Sequence, residues 1–518
     1  MVASVIGREF EADLLGMVAA GDQRTDIRGA MADLEAHGVV KLVATKPTIA
    51  YRFRHALLHD VVYSSILRRR RAELHRDVAR ALESAHPERL DELSPVLARH
   101  YTEASDWEQA LAATVVAAET ALRRHATKEA QHFYLQGIRL AERTDPPAST
   151  RTLLQLNIGA TQASIRFTPG GESLEKLEVL RNVAEDLGDT DLIGQVYSLI
   201  LTVRTMGSEW YGDEGFRDVM DRAFALAPSL EDRGLAARLS GLMGQVLRGS
   251  DEYIRAASLM GDAVAPLEQA GRTTDAAMNA ILTADVLGQH GDFDEAHRWI
   301  DRGLELAVRS GNPTAIADAN LIKGRLLATQ GEVEEALQHT RRGMDLAANA
   351  ENLYCELVGN FLVADQQLRL GQAAEAIPHL EKSFELGEYC NAAGFMMLGR
   401  AWIASAKAQL GEVDPDRFAT SLDQAVAARS RSGEAAVRLH RGIMVAGMPD
   451  PDWDSAFSDF ERAIALLGEI EARPDEARAI HAYAMALDVA GRPDGVAKLA
   501  EASRLFKELG MSVDASPV

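Results

Sequence analysis

Aromatic residues are scarce in this 518-residue chain, and cysteines are scarcer still. Phe, Trp and Tyr make up 6% of the residues, and the two cysteines are Cys355 and Cys390. Two thiols are too few for a disulfide framework, and no HExxH or CxxC pattern accompanies them, so we expect no metal site and no cofactor. An aromatic-poor, alanine-rich chain that is still 47% hydrophobic is typical of closely packed helices.

The chain also lacks long apolar runs. Its first ten residues do not place a charged segment before an apolar one, as a secretory signal would. The longest apolar stretches, such as 111–118, are far too short to span a bilayer. We therefore expect a soluble, cytoplasmic protein with no membrane partner.

Negative charge is in excess, and it is unevenly spread. The formal charge is −22, with a net of +3 over residues 1–80 and −25 over the remainder. Binding to nucleic acid requires clustered positive charge, so this distribution argues against DNA as the main partner.

A short motif of glycine and acidic residues recurs at intervals of 40 residues. It reads GDFDEA from Gly291, GEVEEA from Gly331, GQAAEA from Gly371 and, more weakly, GEVD from Gly411. The segments on either side are long enough for helices of about four turns, so each repeat is predicted to be helix, tight turn, helix. Small residues recur at two further fixed positions, where we expect helices to touch closely: Gly244, Ala284, Gly324, Ala364, Ala404 and Ala484 in one set, and Gly303, Gly343 and Ser383 in the other.

This spacing resembles that of tetratricopeptide repeats, with a small residue, an alanine twelve positions later and another small residue seven further on. The period of 40 instead of 34 implies longer helices. The resemblance predicts an all-α, tetratricopeptide-like superhelical solenoid, with irregular repeats over 94–240, regular repeats over 241–510 and a tail over 511–518. Ligands of such arrays bind on the concave face, formed mostly by the first helix of each repeat, so we expect four residues to point there: Asp285, Arg325, Asp365 and Ser405.

The N-terminal residues 1–56 predict a small winged-helix-like cap, followed by connecting helices over 57–93. Two helices should precede two strands that are joined by a loop containing Pro47: 10–20 and 25–37, then 39–43 and 49–53. The second helix carries three acidic residues and one arginine, which does not suit a reader of the major groove. The basic run Arg68–Arg71 lies beyond the wing, where it could meet phosphate, an acidic partner or only solvent.

Several segments together resemble one family. The stretches ASVIGREF from Ala3 and YRFRHALLHDVVY from Tyr51 are similar to the opening and the close of the winged-helix module in bacterial STAND-class signalling ATPases. RAELHRDVA from Arg71 and LARHYTEA from Leu97 resemble the segments after this module in the branch that carries class III adenylate/guanylate cyclase domains. The resemblance is specific over residues 3–143 and only architectural beyond them. It implies that His55, at the start of the helix after the wing, contacts the β-phosphate of a bound nucleotide and helps to hold the ADP state; a bond to a neighbouring carbonyl is the alternative.

The sequence contains no GxxxxGK[ST] phosphate loop and no recognisable cyclase domain. We therefore predict a non-catalytic sensor and protein-interaction module of a STAND-type regulator. It should bind a protein partner, or a small-molecule or peptide ligand, on the superhelix and act on an ATPase domain in trans. A transcription regulator that binds DNA through the winged helix, or a remnant of a cyclase protein, is the alternative. An enzyme is disfavoured, because no nucleophile–base or carboxylate-pair spacing stands out.

Overall fold

The computed structural model describes residues 1–19, 27–45, 48–165, 168, 170–206, 214–390 and 392–512, and over these ranges it contains 26 α-helices and three short strands. The chain divides into two compact units. Unit 1 comprises residues 1–168 and 176–183, and unit 2 comprises residues 169–175 and 184–518. The prediction of an all-α repeat protein with a small N-terminal cap is confirmed.

The cap in unit 1 has the order of elements found in winged helices: α1 (Val2–Ile6), β1 (Glu9–Glu11), α2 (Ala12–Ala19), α3 (Ile27–Ala36), β2 (Val40–Ala44) and β3 (Ala50–Phe53). The strands form an antiparallel sheet in the order β1-β3-β2. The prediction that the first helix begins at residue 10 was wrong, because Phe10 pairs with Tyr51 in the sheet and its ring is buried in the core of the cap. The predicted helix start at Thr25 and the loop residue Pro47 lie outside the described residues.

The cap shares an apolar core with the helices that come after it. Val5 and Leu14 belong to the same buried cluster as Leu74, Val78 and Leu97. The described helices of unit 1 after the cap are α4 (Ala56–Ser64), α5 (Arg68–Ala85), α6 (Leu90–Glu103), α7 (Trp107–Arg123), α8 (Thr127–Ala141) and α9 (Thr150–Ser164). The residues of α10 (Gly170–Leu187) are divided between the two units.

Unit 2 is an array of helices of similar length. After α11 (Thr190–Met206) and α12 (Glu214–Leu226), the helices alternate between a first and a second helix of each repeat: α13 (Arg233–Gly249), α14 (Tyr253–Gln269), α15 (Thr273–His290), α16 (Phe293–Ser310), α17 (Pro313–Gln330), α18 (Val333–Asn349), α19 (Leu353–Arg369), α20 (Ala373–Cys390), α21 (Ala393–Gln409), α22 (Pro415–Ala427), α23 (Arg431–Ala446), α24 (Trp453–Glu469), α25 (Arg473–Val489) and α26 (Asp494–Leu509). No helix in the described ranges joins the length and the apolar character that crossing a membrane would need.

The two helices of a repeat differ in how they are buried. In α15 nearly every residue from Ala276 to Gly288 is buried, whereas α16 buries a single stripe that starts at Phe293 and Ala296. A stripe of this kind is the pattern of a helix with one face in solvent, and burial on all sides is the pattern of a helix inside the protein. The first helices therefore form the inner layer of the array, and the second helices form the outer layer.

Left-handed residues end the helices at intervals of 20 residues over the first part of the array: Asp251, Gly271, Gly291, Gly311, Gly331, Glu351 and Gly371. At Gly291, φ is +104°, and the amide of Asp292 donates back to the carbonyl of Leu287 at 2.9 Å. A left-handed residue next to such a bond satisfies the last carbonyls of a helix. The 40-residue period seen in the sequence is therefore two helices of equal length, each with the same kind of ending.

The small residues lie where the helices touch, as predicted. Ala284, Ala364 and Ala404 are fully buried. A side-chain carbon at Gly324 would lie 2.8 Å from the carbonyl oxygen of Ala336, so the two helices of this repeat approach each other too closely for even an alanine.

The array closes on itself about 181 residues further along the chain. Arg431 donates to the carbonyl of Ser250 at 3.1 Å, and the amide of Ser432 donates to Asp251 Oδ2 at 3.2 Å, each across 181 positions. Further along, His290 Nδ1 bonds the carbonyl of Glu471 at 3.2 Å. We call this set of contacts, together with those of Arg478 to the carbonyls of Ala328 and Thr329 and of Ser512 to Gln330, the superhelix seam. One turn of the superhelix thus takes roughly four and a half repeats.

Candidate functional site

Asp285 lies at the centre of a polar cluster on the inner layer of unit 2. Its side chain is only 1% exposed, and it accepts from Arg248 Nε at 3.0 Å, from Arg325 Nη2 at 3.1 Å and from Gln289 Nε2 at 3.4 Å. The three donors come from α13, α15 and α17, so the carboxylate ties three successive repeats together. We call these four residues the inner-face cluster.

Asp365 and Ser405 lie at the equivalent position of two later repeats and also bond within the array. Asp365 accepts from Arg369 Nε at 2.9 Å and from the indole N–H of Trp402 at 3.0 Å. Burial alone would raise the pKa of Asp365, but these two donors hold it below its usual value. Ser405 bonds His440 Nδ1 at 3.0 Å, and burial lowers the pKa of His440 to about 4.

Little free space remains beside the inner-face cluster. The cavity there measures about 10 Å³ and is lined by Asp285, Gln289, Arg325 and Thr329 together with small and aliphatic residues. That volume suits one water molecule. All four residues that we expected on the concave face thus lie on first helices and bond neighbouring side chains of the array; whether they bind a ligand stays a prediction.

His55 is exposed at the N-terminus of α4. Its backbone is extended, with φ −125° and ψ 133°, and its side chain makes no capping hydrogen bond. None of the residues of α4 is buried, and Leu57 and Val61 are 78% and 63% exposed. The imidazole predicted to contact a nucleotide therefore lies at one end of an exposed, partly apolar helix.

A chain of hydrogen bonds, which the sequence did not reveal, connects α4 with the helices after it. Tyr63 bonds His75 Nε2 at 2.9 Å, His75 Nδ1 bonds His100 Nδ1 at 2.8 Å, and Arg99 bonds His100 Nε2 at 3.3 Å. Because Arg99 can only donate, one order satisfies every bond: Arg99 donates to His100, His100 to His75, and His75 to Tyr63. Burial, and after it the charge of Arg99, lowers the pKa of His75 to about 4 and that of His100 to about 3. Both rings are therefore neutral at pH 7.

The thiols and the metal-binding residue types form no cluster in the part of the chain that the structure describes. No group of three or more His, Cys, Asp or Glu side chains there could hold a metal ion. Cys355 is buried, and its thiol donates to Asp318 Oδ1 at 3.0 Å.

The fold therefore defines the class: a tetratricopeptide-like helical-repeat protein with a winged-helix-like cap. No protein-family model matches the sequence, and no curated protein matches it.

Solved structures are similar in fold. A Rap protein complexed with competence and sporulation factor matches with a TM-score of 0.54 and 15% identity over 69% of this chain and 99% of its own. Aspartyl phosphate phosphatase F from Bacillus subtilis has a TM-score of 0.44 and 11% identity over 70% of this chain and 95% of its own. A STAND protein with a tetratricopeptide repeat sensor from Pyrococcus horikoshii has a TM-score of 0.37 and 11% identity over 98% of this chain and 62% of its own.

Proposed function

We propose that this chain is a cytoplasmic sensor and protein-interaction module of a STAND-type regulator. The repeats of unit 2 receive a protein, peptide or small-molecule ligand, and the cap of unit 1 acts on an ATPase domain in trans. The observation that carries the proposal is helix α4, because it exposes aliphatic side chains on a helix of nine residues without burying any residue. Exposed apolar patches of this kind mark sites of protein interaction.

The charge and chemistry around α4 support a protein partner that holds an anion. Arg54 and His55 precede the helix, and Arg68 and Arg69 are exposed shortly after it. An imidazole at a helix N-terminus, with guanidinium groups nearby, is suited to a phosphate held by the partner. This arrangement agrees with the role that the family resemblance implies for His55.

The experiment measures amide exchange of the full chain, alone and with a purified phosphate-loop ATPase domain loaded with ADP. We expect residues 55–67 to become protected in the mixture. His55→Ala should weaken that protection only when ADP is present, whereas Val61→Ser should weaken it with or without nucleotide. The matched control is His37→Ala, because His37 is an exposed histidine of the same cap that bonds the carbonyl of Asp33 in the preceding helix, at 2.7 Å. Unchanged exchange over 55–67 would contradict the proposal.

The alternative of sequence-specific DNA binding makes a different prediction. The helix that would enter the major groove, α3, contains Asp33 and Glu35, and carboxylates repel the phosphates on either side of the groove. We expect weak, sequence-independent binding that salt abolishes. A footprint on a defined site that survives about 200 mM salt would favour the transcription regulator instead.

Catalysis by this chain is not part of the proposal. We expect purified protein neither to hydrolyse ATP nor to make cyclic nucleotides, since the sequence holds no phosphate loop and no cyclase domain. Reproducible turnover in a preparation free of contaminating enzymes would show that the assignment is wrong.

A further inference from the structure

We infer that the superhelix seam is a releasable latch, which holds the array in a closed form and keeps its inner layer from ligands. The inference rests on the proposed function, because a latch matters only if the inner layer binds something. Its own test requires no ligand, so the two can fail separately.

The inner layer needs such an opening because the array fills it with its own side chains. Asp285 is paired with Arg248 and Arg325, and the adjoining cavity of about 10 Å³ has room for one water molecule. A peptide or a drug-sized molecule requires several hundred Å³. Binding at these residues therefore requires the first helices to move apart.

The seam is where such a movement costs least. Neighbouring repeats are joined by continuous apolar packing, in which residues such as Ile281, Ala284 and Ile300 are fully buried. The contacts of the seam are mainly single hydrogen bonds to backbone carbonyls at helix ends. Hydrogen bonds add little net stability compared with buried apolar surface, and sub-global opening occurs along the boundary that buries least.

Asp251 shows that the seam is built at the expense of local backbone stability. The equivalent turn of the next three repeats has glycine, at Gly291, Gly331 and Gly371, whereas Asp251 adopts the same left-handed conformation with φ +62° and carries a side chain. That side chain accepts the Ser432 amide at the start of α23, across the seam. The carboxylate is 7% exposed, and burial raises its pKa, with the bonds to Ser432 opposing the rise. A strained, buried charge of this kind persists only where a contact compensates for it.

The test replaces Asp251 with glycine, which relieves the left-handed strain and removes the seam carboxylate in one step. The matched control is Glu351→Gly, since Glu351 is left-handed too, with φ +52°, but is exposed and lies away from the seam. The readouts are amide exchange resolved to single residues and the radius of gyration from X-ray scattering, both on the full chain.

In the native protein, the Ser432 amide should exchange at least about 100-fold faster than amides in the middle of α15, such as that of Val286, because it is released by opening and not by unfolding. Asp251→Gly should speed Ser432 exchange by a further factor of about 10 and raise the radius of gyration, while Val286 stays protected. Glu351→Gly should change neither. Arg431→Gln, which removes the bond to Ser250, is the second variant and should act in the same direction.

Two results would overturn the latch. Equal protection of Ser432 and Val286 in the native protein would mean that the seam opens only when the whole array unfolds. Unchanged Ser432 exchange and an unchanged radius of gyration in both Asp251→Gly and Arg431→Gln would mean that these contacts do not hold the array closed.

Discussion

Replacing Asp285 with asparagine tests whether the inner-face cluster is structural or open to ligands. The substitution keeps the shape of the side chain and removes its charge, so Arg248 and Arg325 are left facing each other without a carboxylate. Breaking a fully buried ion pair from one side costs about 3–5 kcal/mol. The two guanidiniums retain 35% and 32% exposure, which screens part of their repulsion. Asparagine also keeps one acceptor oxygen, so we expect a loss of about 2–3 kcal/mol in the free energy of unfolding of unit 2.

The assay is native-state amide exchange of α15 and α17 across a urea series, because a protein with two units need not unfold in one step. The matched control is Asp301→Asn, which breaks the ion pair of Asp301 with Lys323, where the aspartate is 67% exposed. That change should cost no more than about 0.5 kcal/mol. Adding Arg325→Gln to Asp285→Asn should recover part of the loss, since the double variant has one cation fewer to leave unpaired. A loss below about 0.5 kcal/mol for Asp285→Asn would refute the reasoning, because the carboxylate would then be unpaired in solution and available to a ligand.

Three further outcomes are expected from packing, backbone conformation and burial. Gly324→Ala should lower the stability of unit 2 by about 1–3 kcal/mol in thermal unfolding, because the new methyl group has no space against the facing helix, despite a gain of about 1 kcal/mol in helix propensity; a higher Tm would contradict this. Glu351→Gly should raise stability by up to about 1 kcal/mol, because glycine has no penalty at φ +52°, and a lower urea midpoint would count against it. His75 and His100 have folded pKa values below their unfolded value of about 6.5, so the unfolded chain binds more protons in this range and stability falls as the pH drops from about 6.5 towards 4. Exchange of unit 1 amides at pH 7 and about pH 4.5 measures this fall, and His100→Gln should reduce it; a pH-independent protection would show that these rings are not buried neutral.

The repeat could be predicted because it depends on residue types that have one dominant reason to recur. Glycine at Gly291 and Gly331 marks left-handed helix ends, and alanine or glycine at Ala284 and Gly324 marks close helix contacts, so spacing alone revealed both. Strand β1 escaped notice because three residues carry no periodicity, and Phe10 is placed by a partner strand some 40 positions away.

The seam and the details of the candidate site could not be predicted for a different reason. Several of its acceptors are backbone carbonyls, such as that of Ser250, and every residue type has one. The left-handed turns at Asp251 and Glu351 have no sequence signal, because the residue there is not glycine. Asp285 was identified by its position in the repeat, but its partner Arg248 falls outside the expected set, since the pairing depends on how far successive helices rotate.

The 20-residue spacing of the helix endings sets what lengths this array can take. Removing 20 residues would exchange inner and outer helices along everything downstream, and the apolar stripes of the outer layer would then face the wrong way. Removing 40 residues leaves every helix in its layer but shifts the closure by one repeat, so that Asp251 would meet the start of α25, near Ala472, instead of the start of α23. The chain can therefore gain or lose length only in whole repeats, and each such step would give the same ring of helices a different closing pair.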